Sequence, residues 1–227
     1  MSKTAAIIPA YNEEKTVAAV VSAFKNSGRF QTIIVVSDGS TDQTAEAAKA
    51  AGADAVYEFS ERSGKGAAML HGLRHTDAEI IFFADADLVG FKSEHAALLL
   101  DPVIRGEAAM AVGLRDRGAG LVSFMRFLPL IGGERAMRRE VIETIRPEHL
   151  RGFHAEEALN YNCRKRGLKY LGILLPGLHI RTKVHKVGWR RALPQYLKMS
   201  WEILAAIIGV RIADLFGKFL KSGEKKL

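Results

Sequence analysis

One cysteine, Cys163, is all that the 227 residues contain. No intrachain disulfide can form and no CxxC-type zinc cluster can be assembled, so a reducing cytoplasm is the expected setting. Long apolar runs are missing as well. Ala5–Ile8 is stopped by Pro9, short of the roughly 7–15-residue apolar core of a signal peptide, so export is not expected. Near the other end, Ile203–Val210 is interrupted by Glu202, Arg211, Asp214 and Lys218, short of the roughly 20 residues that a bilayer-spanning helix requires. The chain also lacks Walker A spacing and a GxGxxG after its first strand, which argues against an NTPase and against a dinucleotide binder. Without repeats or a low-complexity linker, residues 1–227 read as one continuous domain.

What is present is ordinary for a globular chain: 48% apolar and 26% charged residues, which excludes disordered, collagenous and fibrous classes. The formal net charge of +8 is unevenly placed. Residues 1–100 carry 9 basic and 13 acidic side chains, leaving 24 basic and 12 acidic in the remainder. A mildly acidic half is followed by a strongly basic one.

The first hundred residues alternate short apolar runs with helical periods, the signature of βαβ units and a largely parallel sheet. Ala5–Ile8 reads as a buried strand. Asn12 is the expected N-cap of a helix striped by Val17, Val20, Val21 and Phe24, with Glu13 and Glu14 in its first turn. Thr32–Val36 is a second strand, followed by a helix from Asp42 to Ala51. Ala55–Phe59 is a third strand, and a helix runs from the Ser63-Gly64-Lys65-Gly66 turn to His75. Ile80–Ala84 is apolar at every position and reads as a central strand. Beyond residue 100 the pattern predicts a strand at Ala109–Gly113 and a loop at Arg115–Gly120, followed by an apolar patch, Leu121–Ile131. Helices are expected at Glu134–Ile145 and Ala155–Arg166, a last strand at Leu168–Leu175 and a long helix at Leu193–Leu220.

Polar residues cluster immediately after the expected strands: Pro9-Ala10-Tyr11-Asn12-Glu13, Ser37-Asp38-Gly39-Ser40 and Asp85-Ala86-Asp87. Ligands of an open parallel sheet bind at the carboxyl ends of its strands, so these segments are expected to share one crevice. In an extended segment Asp85 and Asp87 would face the same side and approach one cation. Hard oxygen donors favour Mg²⁺ or Mn²⁺, and an ion held by one or two carboxylates completes its shell with water and substrate phosphates. Gly64, Lys65 and their neighbours either cradle phosphate through backbone N–H groups and an ammonium or form a plain surface turn.

The series Ile7-Ile8-Pro9-Ala10-Tyr11-Asn12-Glu13-Glu14, Ile34-Val35-Val36-Ser37-Asp38-Gly39-Ser40-Thr41-Asp42, Gly64-Lys65-Gly66 and Asp85-Ala86-Asp87-Leu88 resembles the family 2 glycosyltransferases with the GT-A fold. The resemblance implies a Rossmann-like three-layer α/β/α sandwich with a mostly parallel central sheet, a nucleotide-diphosphate-sugar donor and a divalent metal. Residues 1–115 would form the donor half, 116–192 the acceptor half, and 193–227 the C-terminal helix. By the same resemblance Pro9, Ala10, Tyr11, Glu13 and Asp38 would hold the nucleoside. Gly64 and Lys65 would sit near the base or phosphates, Asp85 and Ala86 near the ribose or sugar, and Asp87 on the metal.

The second half is similar to glucosyl-3-phosphoglycerate synthases at Gly132-Gly133-Glu134-Arg135, at Gly152-Phe153-His154-Ala155-Glu156 and at Arg181–Lys186. That likeness implies that Gly132, Gly133, Glu134 and Arg135 contact sugar or acceptor and that His185 completes the metal site with Asp87 and Asp85. Glu156 is the candidate base if the reaction inverts the anomeric carbon; an anionic acceptor or a retaining reaction needs none. The donor half also resembles polyprenyl-phosphate glycosyltransferases, which leaves a lipid-phosphate acceptor open.

The basic half suits an anionic acceptor or an anionic membrane surface. Nucleic acid is not expected, because the charges are scattered over several elements without interleaved aromatics or a recognition helix. Trp201, Leu204, Ile208, Leu215 and Phe219 share one face of the expected C-terminal helix, beside Lys218, Lys221, Lys225 and Lys226. Such a helix either lies in a membrane interface, making the protein peripheral, or packs on the sheet or on a second subunit as a homodimer.

Overall fold

A computed structural model describes residues 2–115, 132–150 and 154–178. The loop and apolar patch expected between 116 and 131, His185 and the C-terminal helix lie outside the described residues.

The chain begins with β1 (Thr4–Ala10), α1 (Val17–Ser27), β2 (Thr32–Ser37), α2 (Thr44–Ala50), β3 (Ala55–Glu58), α3 (Lys65–Arg74) and β4 (Ile80–Phe83). Then come α4 (Ser93–Ile104), β5 (Met110–Arg115), β6 (Arg135–Arg138), α5 (Arg139–Glu143), a 3₁₀ turn at Pro147–Leu150, α6 (His154–Lys165) and β7 (Tyr170–Leu175). The described strands form one seven-stranded sheet in the order β3-β2-β1-β4-β6-β5-β7. β6 runs antiparallel to both β4 and β5, and the other pairs are parallel.

Strand alternation divides the core into two layers. Ala6 and Ile8 of β1 join Val20, Phe24, Phe82 and Leu99 on the α1 and α4 side. Ala5 and Ile7 join Ile34, Val36, Met69, Phe83 and Leu159 on the α3 and α6 side. Helices cover both faces, so the central strands carry unbroken apolar runs: all of β4, Ala5–Ile8 of β1 and Ile33–Val36 of β2. Phe24 anchors one layer, with Phe30 and Phe82 edge-on at 5.0 and 5.1 Å between ring centroids.

Three local expectations are corrected. Glu134–Ile145 is not one helix: Arg135–Arg138 is strand β6, and the helix that follows spans only Arg139–Glu143. Pairing with β4 and β5 overrides the local helix propensity. Asn12 is not a helix cap. Its φ of 54° places it in the left-handed region, and α1 starts after Thr16. The Asn12 side-chain oxygen instead accepts the Thr41 N–H at 2.8 Å, tying the turn after β1 to the turn after β2. Finally, Asp85 to Asp87 is not extended, because β4 ends at Phe83 and a turn follows.

Candidate active site at the carboxyl ends of the strands

The parallel register aligns Ala10 with Ser37 and Ile7 with Phe83, so β1, β2 and β4 end at the same edge of the sheet. Along that edge the structure gathers the expected residues unequally.

Ala10 and Ala86 are buried lining, and the Ala10 carbonyl accepts the Asp38 N–H at 2.8 Å. Pro9 is half-buried at the end of β1. Glu13 is fixed locally: its N–H donates to the Thr44 hydroxyl at 2.8 Å, and its carboxylate accepts from the Thr16 hydroxyl at 3.0 Å. Tyr11 is exposed, with the Arg62 guanidinium 4.1 Å from its ring centroid, a cation over an aromatic face.

Asp38 is only 3% exposed. Its carboxylate accepts N–H bonds from Ser63 at 2.7 Å and from Gly64 at 2.8 Å, so it anchors the β3–α3 loop to the end of β2. Gly39 makes the close approach possible. With φ of +70° it adopts a backbone that other residues resist, and a Cβ there would meet the Arg62 nitrogen at 2.6 Å. Arg62 was missed by sequence reasoning, although it directly precedes the Ser63-Gly64-Lys65-Gly66 turn.

The charged centre lies at Lys65, the first residue of α3. Its ammonium is 2.5 Å from Asp85 Oδ1 and 3.9 Å from Glu156 Oε1. Burial works against the ammonium, but Asp85, Glu156 and Glu134 outweigh it and hold the Lys65 pKa above its ordinary value. The Lys65 ammonium therefore sits between two carboxylates, with Glu134 adding to the negative field around it. The other Glu156 oxygen, Oε2, is buried without a hydrogen-bond partner among the described residues. An unsatisfied carboxylate oxygen at a crevice is costly unless a ligand or solvent completes it.

Gly132 and Gly133 explain their own presence. A Cβ on Gly133 would lie 2.3 Å from Asp85 Oδ2, and one on Gly132 would lie 2.3 Å from the Gly113 carbonyl oxygen. The pair lets the chain press its backbone between β5 and the Asp85 carboxylate. Glu134 and Arg135, expected at sugar or acceptor, are instead 0% and 1% exposed. Arg135 donates to the Gly132 carbonyl at 2.7 Å and to Asn160 Oδ1 at 2.8 Å, contacts that hold it within the protein.

For a divalent cation the donor chemistry fits. Asp87 is an exposed carboxylate in the turn after β4, whereas Asp85 is engaged by Lys65. Among the described residues no group of three or more His, Cys, Asp or Glu is arranged to hold a metal. The fit rests on the hard oxygen donors of Asp87, a type that Mg²⁺ and Mn²⁺ take together with phosphate oxygens and water. Among the described residues, no helix is long and apolar enough to cross a membrane.

A mostly parallel sheet with helices on both faces and a polar crevice at its strand ends defines an α/β protein of the GT-A class. The glycosyl transferase family 2 profile matches residues 5–158. The chain belongs to that family. It is 31% identical over 185 residues to glycosyltransferase AglJ of Haloferax volcanii, spanning 72% of this chain but only 59% of that protein. It is 29% identical over 236 residues to glucosyl-3-phosphoglycerate synthase of Mycolicibacterium smegmatis, covering 89% of this chain and 75% of the relative. The crystal structure of glucosyl-3-phosphoglycerate synthase from Mycobacterium tuberculosis with Mn²⁺, uridine diphosphate and phosphoglyceric acid superposes with a TM-score of 0.75. That match is at 25% identity and covers 92% of this chain and 78% of that one.

Proposed function

We propose that the protein is a metal-dependent glycosyltransferase that moves a sugar from a UDP- or GDP-sugar to an anionic, phosphoglycerate-like acceptor. The observation that carries this reading is the meeting of Lys65, Asp85 and Glu156 at the strand ends, next to the exposed Asp87. The likeness to a synthase solved with Mn²⁺, uridine diphosphate and phosphoglyceric acid supports it.

In this reading Tyr11 and the β3–α3 loop flank the nucleoside, with Asp38 holding that loop in place. Asp87, with His185 as the further candidate ligand, would hold Mg²⁺ or Mn²⁺, which supplies neutralising charge to the diphosphate leaving group. Lys65 adds a fixed cation where that charge develops, and Asp85 holds the ammonium in position. Glu156 takes the acceptor proton where the acceptor presents a hydroxyl and the reaction inverts. Residues 1–115 form the donor half and 116–192 the acceptor half, and the basic excess after residue 100 favours an acceptor carrying phosphate or carboxylate. The setting is cytoplasmic. Peripheral attachment to an anionic membrane through residues 193–227, or pairing of two copies there, is a separate matter for vesicle flotation and sedimentation.

The test is a matrix of UDP- and GDP-sugars against phosphoglycerate and polyprenyl phosphate with Mn²⁺. Transfer to phosphoglycerate is expected. Transfer to the lipid phosphate alone would replace the acceptor assignment, and no transfer with any pair would refute the reading.

A further inference from the structure

Arg135 heads the largest fully buried side chains among the described residues. A buried guanidinium needs its donors satisfied in fixed directions. Nε donates to the Gly132 carbonyl at 2.7 Å, while Nη1 donates to Asn160 Oδ1 at 2.8 Å and lies 3.7 Å from the Met110 sulfur. These two oxygens belong to the two elements that build the charged centre. Gly132 precedes Gly133, whose backbone lies against the Asp85 carboxylate. Asn160 stands one turn beyond Glu156 on the same face of α6.

We propose that Arg135 is a positioning residue for sugar transfer: one planar fork sets the Gly132-Gly133 segment behind Asp85 against the helix that carries Glu156. This rests on the transferase reading of the same site. Asp85 and Glu156 flank a single ammonium at 2.5 and 3.9 Å, so their spacing decides where Lys65 stands relative to the leaving group. Burial pulls the Arg135 pKa below its ordinary value, while Glu156, Cys163, Glu134 and Glu157 pull it back. A guanidinium remains charged throughout the working range, so the brace is independent of pH. A lysine keeps the charge but cannot serve both oxygens in the same geometry.

The test compares wild type with Arg135→Lys, Asn160→Ala and the double variant, all as full chains below their melting temperatures. Uridine diphosphate affinity with Mn²⁺ is read by calorimetry, and kcat and donor KM are read separately. The positioning role predicts kcat down about tenfold or more in each single variant, with nucleotide affinity and donor KM within about twofold. The double variant should be no slower than the slower single, since both break one fork. Wild-type kcat in folded Asn160→Ala, kcat losses that multiply in the double variant, or affinity falling in step with kcat would overturn it. Asn160→Ala removes the acceptor of Arg135 Nη1 without removing a charge and carries the test if Arg135→Lys does not fold. A wild-type protein that turns over nothing is a failure of the proposed function. Wild-type turnover matched by the variants is a failure of this inference alone.

Discussion

Gly133→Ala adds one carbon and two hydrogens, yet the geometry makes it a test of the whole charged centre. The new Cβ would stand 2.3 Å from Asp85 Oδ2, 2.7 Å from its Cγ and 2.8 Å from Oδ1, whereas ordinary contact begins at 3.4 Å. Gly133 φ lies outside the left-handed range, so alanine meets no backbone penalty and the effect is purely steric. Either the loop or Asp85 must move by about 1 Å. Asp85 is about a quarter exposed and can swing outward, which preserves the fold but breaks its 2.5 Å contact with Lys65. A displacement of about 1 Å at a reacting centre costs on the order of 10²-fold in rate, or about 2.7 kcal/mol of transition-state stabilisation. The assay is steady-state release of nucleoside diphosphate from the active donor, beside a thermal melt. Gly132→Ala is the contrast, because its Cβ would strike the Gly113 backbone and overpacking there costs about 1–3 kcal/mol of stability. A Gly133→Ala protein with wild-type kcat/KM and an unchanged melt would refute the steric coupling between the two-glycine segment and Asp85.

Asp87→Ala should cut Mn²⁺-dependent turnover by about 10²-fold or more while leaving the melt unchanged, since the residue is exposed; retained turnover sinks the metal assignment. Phe24→Ala empties the centre of one core layer and should cost about 3–5 kcal/mol, read as a fall in Tm on the order of 10 °C. The Cys163 thiol is buried and its pKa is pushed up from 9.0 to about 11, mainly by desolvation. The unfolded thiol ionises first, so this stabilisation is complete below pH 9 and is lost as pH rises towards 11. Two units correspond to about 2–3 kcal/mol, and a Cys163→Ala protein should show a correspondingly shallower alkaline decline in urea titrations.

Strands β1, β2 and β4 were legible because each holds an apolar run bounded by turn residues, and burial on both faces forces that pattern. β6 was not. Arg135-Ala136-Met137-Arg138 followed by Arg139-Glu140 has local helix propensity, and only its pairing between β4 and β5 makes it a strand. α4, Ser93–Ile104, was also missed although Ala96, Leu99, Leu100 and Val103 form a buried stripe at helical spacing. At the site, strand-end placement singled out Asp85, the glycine-bearing turn pointed to Lys65, and Glu156 came only from the family resemblance. None of these could show that Asp38 accepts the Ser63 and Gly64 amides or that Arg135 faces inward, because both depend on contacts between segments distant in sequence.

The most direct measurement is mass spectrometry of the full-length protein incubated with a UDP- or GDP-sugar, phosphoglycerate and Mn²⁺, with and without EDTA. A hexosyl-phosphoglycerate that appears with metal and disappears with EDTA is the expected outcome. Nucleotide binding without any glycosylated product, across all donors and acceptors tried, would make the strand-end crevice a binding site alone and contradict the transferase reading.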